Sequence, residues 1–299
     1  MKLISHVGHV ALRTPDLDAS VRHATDILGL REVERTRDAV YLTCGPNHHD
    51  LQLIRADHAA FDHFALEAAS GAALDKILAR LERAKFNIVS RTPEEPGIAR
   101  ALRFVTPDGH TVEIYAGMEK KQPAHYNTMG MRPRKYGHTT LGVADVAASE
   151  AFYRDVLGFI PSDRMYVRND GVQRDVAVWM RCNSEHHGLA LIAGEPGLRH
   201  CAWEVESFAY LGVVADHLAA NGYKIEWGPG RHGPGNNLYI YHRDPIGNVH
   251  EHLADLERIH DDSFLGRAWE AGPMTLNLWG GPDPAPEYRG RYLRIAPRG

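Results

Sequence analysis

The sequence predicts an α+β fold of two tandem homologous modules, each built from two βαβββ units that form a curved mixed sheet. Two observations lead there. The first is a repeat: GHVALRTPDLDASVRHATDILGL (8–30) aligns with GHTTLGVADVAASEAFYRDVLGF (137–159) at an offset of 129. Three further matches follow in the same order: CGPNHHDLQLI with CNSEHHGLALI, DHFALEA with RHCAWEV, and TPDGHTVEIY with DPIGNVHEHL, at offsets of 137 or 138. Four ordered matches at nearly one offset mark a duplicated module. The second is the order of elements, strand then helix then three strands, recurring within each module.

The modules fall at about 1–118 and 135–258, with 119–134 as a polar, Pro-containing linker. The remaining 259–299, rich in Pro, Gly and Trp, have no counterpart in the first half and read as a tail packed across the domain. In the second module, GHTTLGVA is an alternating strand and Asp145 is a helix N-cap. Val146, Phe152, Tyr153, Val156 and Leu157 share one helical face, and Gly158 stands at the C-cap. Strands are expected near 160–168, 174–181, 187–193, 199–205, 223–227, 238–243 and 248–253, with a helix over 207–221.

Composition narrows the function. The hydrophobic fraction of 43% and charged fraction of 24% suit a globular protein with real cores. A net charge of -4 without a Lys/Arg block excludes a nucleic-acid or anionic-membrane partner. No apolar run approaches the length of a spanning helix, and MKLISHVGHVALRT lacks the apolar segment and cleavage site of a signal peptide, so none is expected. Three scattered cysteines (Cys44, Cys182, Cys201) argue for a reduced, cytoplasmic setting without a thiolate metal site. Nineteen histidines make imidazole metal chemistry worth testing.

The repeat singles out His138, His200 and Glu251, each on a predicted strand. Side chains alternate across a strand, so Glu251 shares a face with Val249 and Leu253 while His250 and His252 point away. Two histidines and one carboxylate form the facial triad of non-haem iron(II) oxygenases, leaving open positions on the metal. A lone strand histidine is more often structural than a ligand, so the triad alone is a modest signal.

The stretch GRHGPGNNLYIYHRDPIGNVHE (230–251) strengthens it. Gly230-x-His232, a seven-residue gap, Ile240-Tyr241, Asp244-Pro245-x-Gly247 and a closing Glu251 match in full the signature of the type I extradiol ring-cleaving dioxygenases of the vicinal oxygen chelate superfamily. The chain resembles that family over about 3–258. The resemblance implies His138, His200 and Glu251 as ligands to Fe(II), with Mn(II) open. It implies an acid–base histidine shortly before the second ligand; the spacing is 13 from His187 and 14 from His186. The pattern favours His187, with His186 its outward-facing neighbour. His232 and Tyr241 match the pair that hydrogen-bonds the bound diolate. A catecholic substrate and O2 are the implied partners, a muconic semialdehyde-type acid the product, and a homo-oligomer the implied assembly. A glyoxalase-like isomerase or lyase and a non-catalytic binding module are the alternatives within the superfamily.

The first module carries a twin set, His9, His63 and Glu113, with His48-His49 at the acid–base position. The Tyr241 position becomes Arg103 and the His232 position falls near Glu94, so this set reads as a relic. Cys201 is expected to point away from the metal, and Asp244-Pro245-x-Gly247 to form a turn. Trp203, Tyr239 and Trp269 read as packing residues, although Trp179 or Tyr239 could line the pocket. Arg243, on the Tyr241 face, is a candidate partner for an anionic substrate group.

Overall fold

The computed structural model describes residues 2–122, 131–284 and 292–297. Part of the expected linker and part of the tail lie outside the described residues. The first module runs β1 (Ile4–Thr14), α1 (Leu17–Arg22), β2 (Arg31–Arg35), β3 (Ala39–Thr43) and β4 (Leu51–Arg55). It continues with β5 (Ala60–Ala68), α2 (Gly71–Arg83), β6 (Ile88–Ser90), β7 (Ile98–Val105) and β8 (Thr111–Met118). The second repeats this order with β9 (Lys135–Val143), α3 (Val146–Phe152), β10 (Ile160–Asn169), β11 (Val172–Arg181) and β12 (Leu189–Ala193). Then come β13 (Gly197–Glu204), α4 (Phe208–Ala220), β14 (Trp227–Arg231), β15 (Leu238–Arg243) and β16 (Val249–Ala254). The later chain adds β17 (Arg267–Glu270) and β18 (Leu293–Arg294).

Each module is one mixed sheet. The first has the order β2-β3-β4-β1-β5-β8-β7-β6, and the second β14-β15-β16-β13-β9-β12-β11-β10-β17, with β18 on β13. In both, the first strands of the two units pair antiparallel at the centre, and each also pairs parallel with the last strand of its own unit. The strand expected near 223–227 starts instead at Trp227, because Trp227 pairs with Tyr241 and Gly230 with Tyr239.

Local signals act where they stand. Asp145 accepts from the Ala148 N–H at 3.0 Å, and Gly158 ends the helical segment at a positive φ of 78°. Both first helices of the modules finish in a wider turn, His23–Ile27 and Tyr153–Leu157. Leu74, Ile77 and Leu81 of α2, and Leu211, Val214 and Leu218 of α4, are buried on one face at helical spacing. The apolar core crosses between modules, with Phe86 4.8 Å from Phe152 ring to ring. Among the described residues no helix is long and apolar enough to cross a membrane.

Candidate metal centre

Strand register builds the centre. On β13, Ala202 stands opposite His138 of β9 on one side and Glu251 of β16 on the other. Residues opposite one another share a sheet face, and His200, two positions from Ala202, shares it too. The three polar side chains therefore surround a methyl group, and that small side chain leaves the space between them open.

Their tips converge there. His138 Nε2 and His200 Nε2 lie 3.0 and 3.1 Å from Glu251 Oε2, and 3.1 Å from each other. One face of an octahedron with bonds of about 2.1 Å has edges of about 3.0 Å. The spacing fits a divalent ion held by two imidazoles and one carboxylate. Asn237 Nδ2 donates to the other oxygen, Oε1, at 3.0 Å and so orients the carboxylate.

Protonation suits ligation. Burial works against ionising Glu251, but His138 and His200 outweigh it and hold the carboxyl well below its usual range. Burial lowers His200 against the pull of Glu251. It lowers His187 well below its ordinary value, aided by His138, and pushes His232 down to about 4. Neutral imidazoles are the form that binds metal.

A cavity of about 370 Å³ opens on the triad. His187, His232 and Tyr241 line it, with Thr140, Trp179, Ile192, Trp227 and Leu276 among its walls. The Leu276 carbonyl lies 2.6 Å from His232 Nδ1; a carbonyl only accepts, so that nitrogen carries the ring's proton. His232 Nε2 is then bare and accepts from the Tyr241 hydroxyl at 3.0 Å.

Other expected positions need correction. His186 does not face outward: it is fully buried, with Nε2 3.1 Å from Asp163 Oδ2. Arg243 is absent from the cavity wall and donates to the Gly247 carbonyl at 2.8 Å; the guanidinium on the wall is that of Arg199. Trp179 lines the cavity, whereas Tyr239 stacks on His232 with ring centres 3.9 Å apart. The tail does more than cover the domain, since Leu276, Asp283 and Pro284 form part of the wall. Asn237, Arg199, Leu276 and Asp163 were missed. The polar Asn236-Asn237 pair inside the signature was the only signal for any of them.

Two other clusters among the described residues gather ligand-type groups: His9, His63, Glu95 and His23, Asp244, His250. In the first, Arg103 takes the metal's place. Its Nε donates to Glu113 at 2.8 Å and its Nη2 contacts Glu95. Glu95 lies 2.9 Å from His9, 2.7 Å from His49 and 2.8 Å from His63. Near the place expected for the His232 counterpart, Glu95 is the enclosed carboxylate on Arg103, while its neighbour Glu94 is half-exposed. In the second cluster, the Trp203 indole N–H donates to His250 Nδ1 at 2.9 Å. The proton of that ring then sits on Nε2, 3.2 Å from Asp244, where it excludes a metal. Cys201 contacts this far-side His250, as expected for a residue pointing away from the triad.

Comparisons with known proteins agree with this architecture. The chain is 29% identical to a manganese-dependent 2,3-dihydroxybiphenyl 1,2-dioxygenase of Geobacillus genomosp. 3, over 95% of this chain and 96% of that protein. It is 26% identical to an iron-dependent extradiol dioxygenase of Rhodococcus jostii, over 93% and 96%. An Mn(II)-bound glyoxalase of Novosphingobium aromaticivorans superposes with a TM-score of 0.87 at 29% identity, covering 100% of this chain and 96% of that one. The sequence model of the Glyoxalase/Bleomycin resistance protein/Dioxygenase superfamily matches twice, over residues 6–114 and 135–251, and the chain belongs to that superfamily.

Proposed function

We propose that the chain is an extradiol ring-cleavage dioxygenase, opening a catecholic ring with O2 at a mononuclear metal held by His138, His200 and Glu251. The observation that carries this reading is the meeting of three ligand atoms, 3.0 to 3.1 Å apart, with His187, His232 and Tyr241 in one cavity. The ion is proposed to be Fe(II), with Mn(II) accepted by the same donor set.

When bound, the ion would activate adjacent diol oxygens as a Lewis acid and supply electron-transfer chemistry for dioxygen. His187 takes a proton from the diol and returns one as the ring opens, work suited to a neutral imidazole. Tyr241 donates to an ionised diol oxygen by a charge-assisted hydrogen bond, releasing His232 Nε2. The Leu276 carbonyl holds the His232 ring in place throughout. Trp179, Ile192 and Trp227 shield the site from water. The product is a muconic semialdehyde-type acid carrying both atoms of O2.

The likeness to a glyoxalase supports a second reading, an isomerase or lyase in which the ion polarises an enediolate. Dioxygen separates the two. Protein loaded with Fe(II) under anaerobic conditions is mixed with catechols, and air is admitted. Oxygen uptake with a yellow product is expected; neither, across a panel of diols, would remove the dioxygenase reading.

A further inference from the structure

His187 is the last of three buried groups in a chain. Asp163 on β10 is fully enclosed, and its neighbours are donors. Oδ1 accepts from the Arg267 backbone N–H at 2.9 Å and its Nε–H at 3.1 Å, and Oδ2 accepts from the Trp269 indole at 2.9 Å. Burial opposes ionisation of Asp163, but His186, Arg267 and Trp269 outweigh it and hold the carboxyl below its usual range. His186 Nε2 lies 3.1 Å from Oδ2, and His186 Nδ1 lies 2.9 Å from His187 Nδ1.

The direction of this chain follows from donor counting. A bare nitrogen 3.1 Å from a carboxylate oxygen would be repelled by it, so His186 carries its proton on Nε2, in ion-pair contact with Asp163 rather than in an aligned hydrogen bond. Its Nδ1 is then bare and must accept, so His187 carries its proton on Nδ1. What remains is a bare Nε2 on His187, the form a proton acceptor needs.

We propose that Asp163 and His186 are positioning residues that fix His187 in its Nδ1–H tautomer, so that Nε2 meets the substrate as a base. The proposal rests on the reading above, in which His187 takes the diol proton. The first module supplies an internal comparison. There Glu34, His48 and His49 stand at the matching places, with His48 3.3 Å from Glu34 and 3.0 Å from His49. That chain ends differently: Glu34 is half-exposed, and His49 Nε2 lies against Glu95 at 2.7 Å. Only the second module's relay runs from an enclosed carboxylate to a nitrogen facing a cavity.

Asp163→Asn tests the direction. Arg267 directs two donors at the Oδ1 position and Trp269 one at Oδ2, so the amide oxygen takes Oδ1; the NH2 then leaves the Trp269 indole without its acceptor, faces His186 and forces it to accept. The chain then reverses and puts the proton of His187 on Nε2. In ¹⁵N-histidine NMR of the full-length chain, kept free of paramagnetic ions, His187 should show Nδ1–H in wild type and Nε2–H in the variant. Wild type protonated on Nε2, or an unchanged tautomer in a folded Asp163→Asn chain, would overturn the proposal.

A second pair covers the case in which Asp163→Asn fails to fold. His186→Leu should free the His187 tautomer, and His186→Gln, whose amide offers one donor and one acceptor, should restore Nδ1–H. Equal tautomers in both variants would also overturn it. In turnover, Asp163→Asn and His186→Leu should lose roughly a hundredfold in kcat with KM little changed. A wild type that turns over no catechol would remove the proposed function, while the NMR result would still decide the wiring.

Discussion

Arg103 Nε lies 2.8 Å from Glu113 Oε2, and Glu113 occupies in the first module the place that Glu251 occupies in the second. Duplication supplied both modules with two histidines and a carboxylate on adjacent strands. In the first, a guanidinium and an additional glutamate then filled the centre. A fixed cation makes a mobile one redundant, so the full-length protein should bind one divalent ion per chain. Replacing Arg103 by Leu leaves Glu95 and Glu113 buried without the guanidinium that pairs with both. Breaking a buried ion pair in this way costs about 3–5 kcal/mol. The variant should melt lower than wild type, regain stability in millimolar Mn(II), and show a second bound ion by elemental analysis. An unchanged melting temperature, or no response to metal, would show that Arg103 does not substitute for one.

The same cluster sets a pH dependence. Burial and Arg103 both act to lower His63, but Glu95 and Asp62 prevail and raise it to about 9. An unfolded histidine titrates near 6.5, so the folded state binds the proton more tightly. That stability is fully present below the unfolded value and is lost as pH rises through the folded one. Unfolding free energy from urea titrations should therefore fall between about pH 6.5 and 9, by an amount on the order of 1–3 kcal/mol. Asp62, 2.7 Å from His63 Nδ1, contributes part of the shift. Asp62→Asn should flatten the slope, and a slope identical to wild type would assign it to other groups.

Ala202 sits between His138 and Glu251 in one row across the sheet. Leucine at this position would project a branched side chain into the space the three ligand atoms share. Ala202→Leu should fold, since the backbone ladder is untouched, but its metal affinity should drop by roughly ten- to a hundredfold or more. Elemental analysis after dialysis against a weak chelator reads this directly. Retention of a full equivalent of metal would show that the triad closes elsewhere than above Ala202.

The sequence carried the parts of the site that obey local periodicity. His138, His200 and Glu251 were legible because the repeat marks equivalent strand positions and a period of two decides the face. Their mutual spacing was not legible, since it depends on register between strands distant in sequence. Asp163 shows the limit most plainly: its indole donor, Trp269, lies 106 residues away on a strand added after the repeat ends. Nothing in either segment advertises that pairing. Arg243 failed for a local reason, because the Gly247 carbonyl of the following turn claims its guanidinium before any substrate could. The tail looked like cover because Leu276 acts through a backbone carbonyl, which no side-chain pattern reveals.

Tyr241 separates metal binding from later chemistry. Its hydroxyl donates to His232 Nε2 at 3.0 Å, and its ring centre lies 5.2 Å from that of His200. Phenylalanine keeps the ring, and hence the packing on Trp227 and His200. It removes one donor aimed at a developing oxyanion, for which a loss of roughly a hundredfold in kcat is typical. Tyr241→Phe should therefore bind metal and melt as wild type does, while kcat falls and KM for a catechol moves little. Should kcat stay within twofold of wild type, the hydroxyl would be a partner of His232 alone, and the donor to the diolate would have to be sought at Thr140.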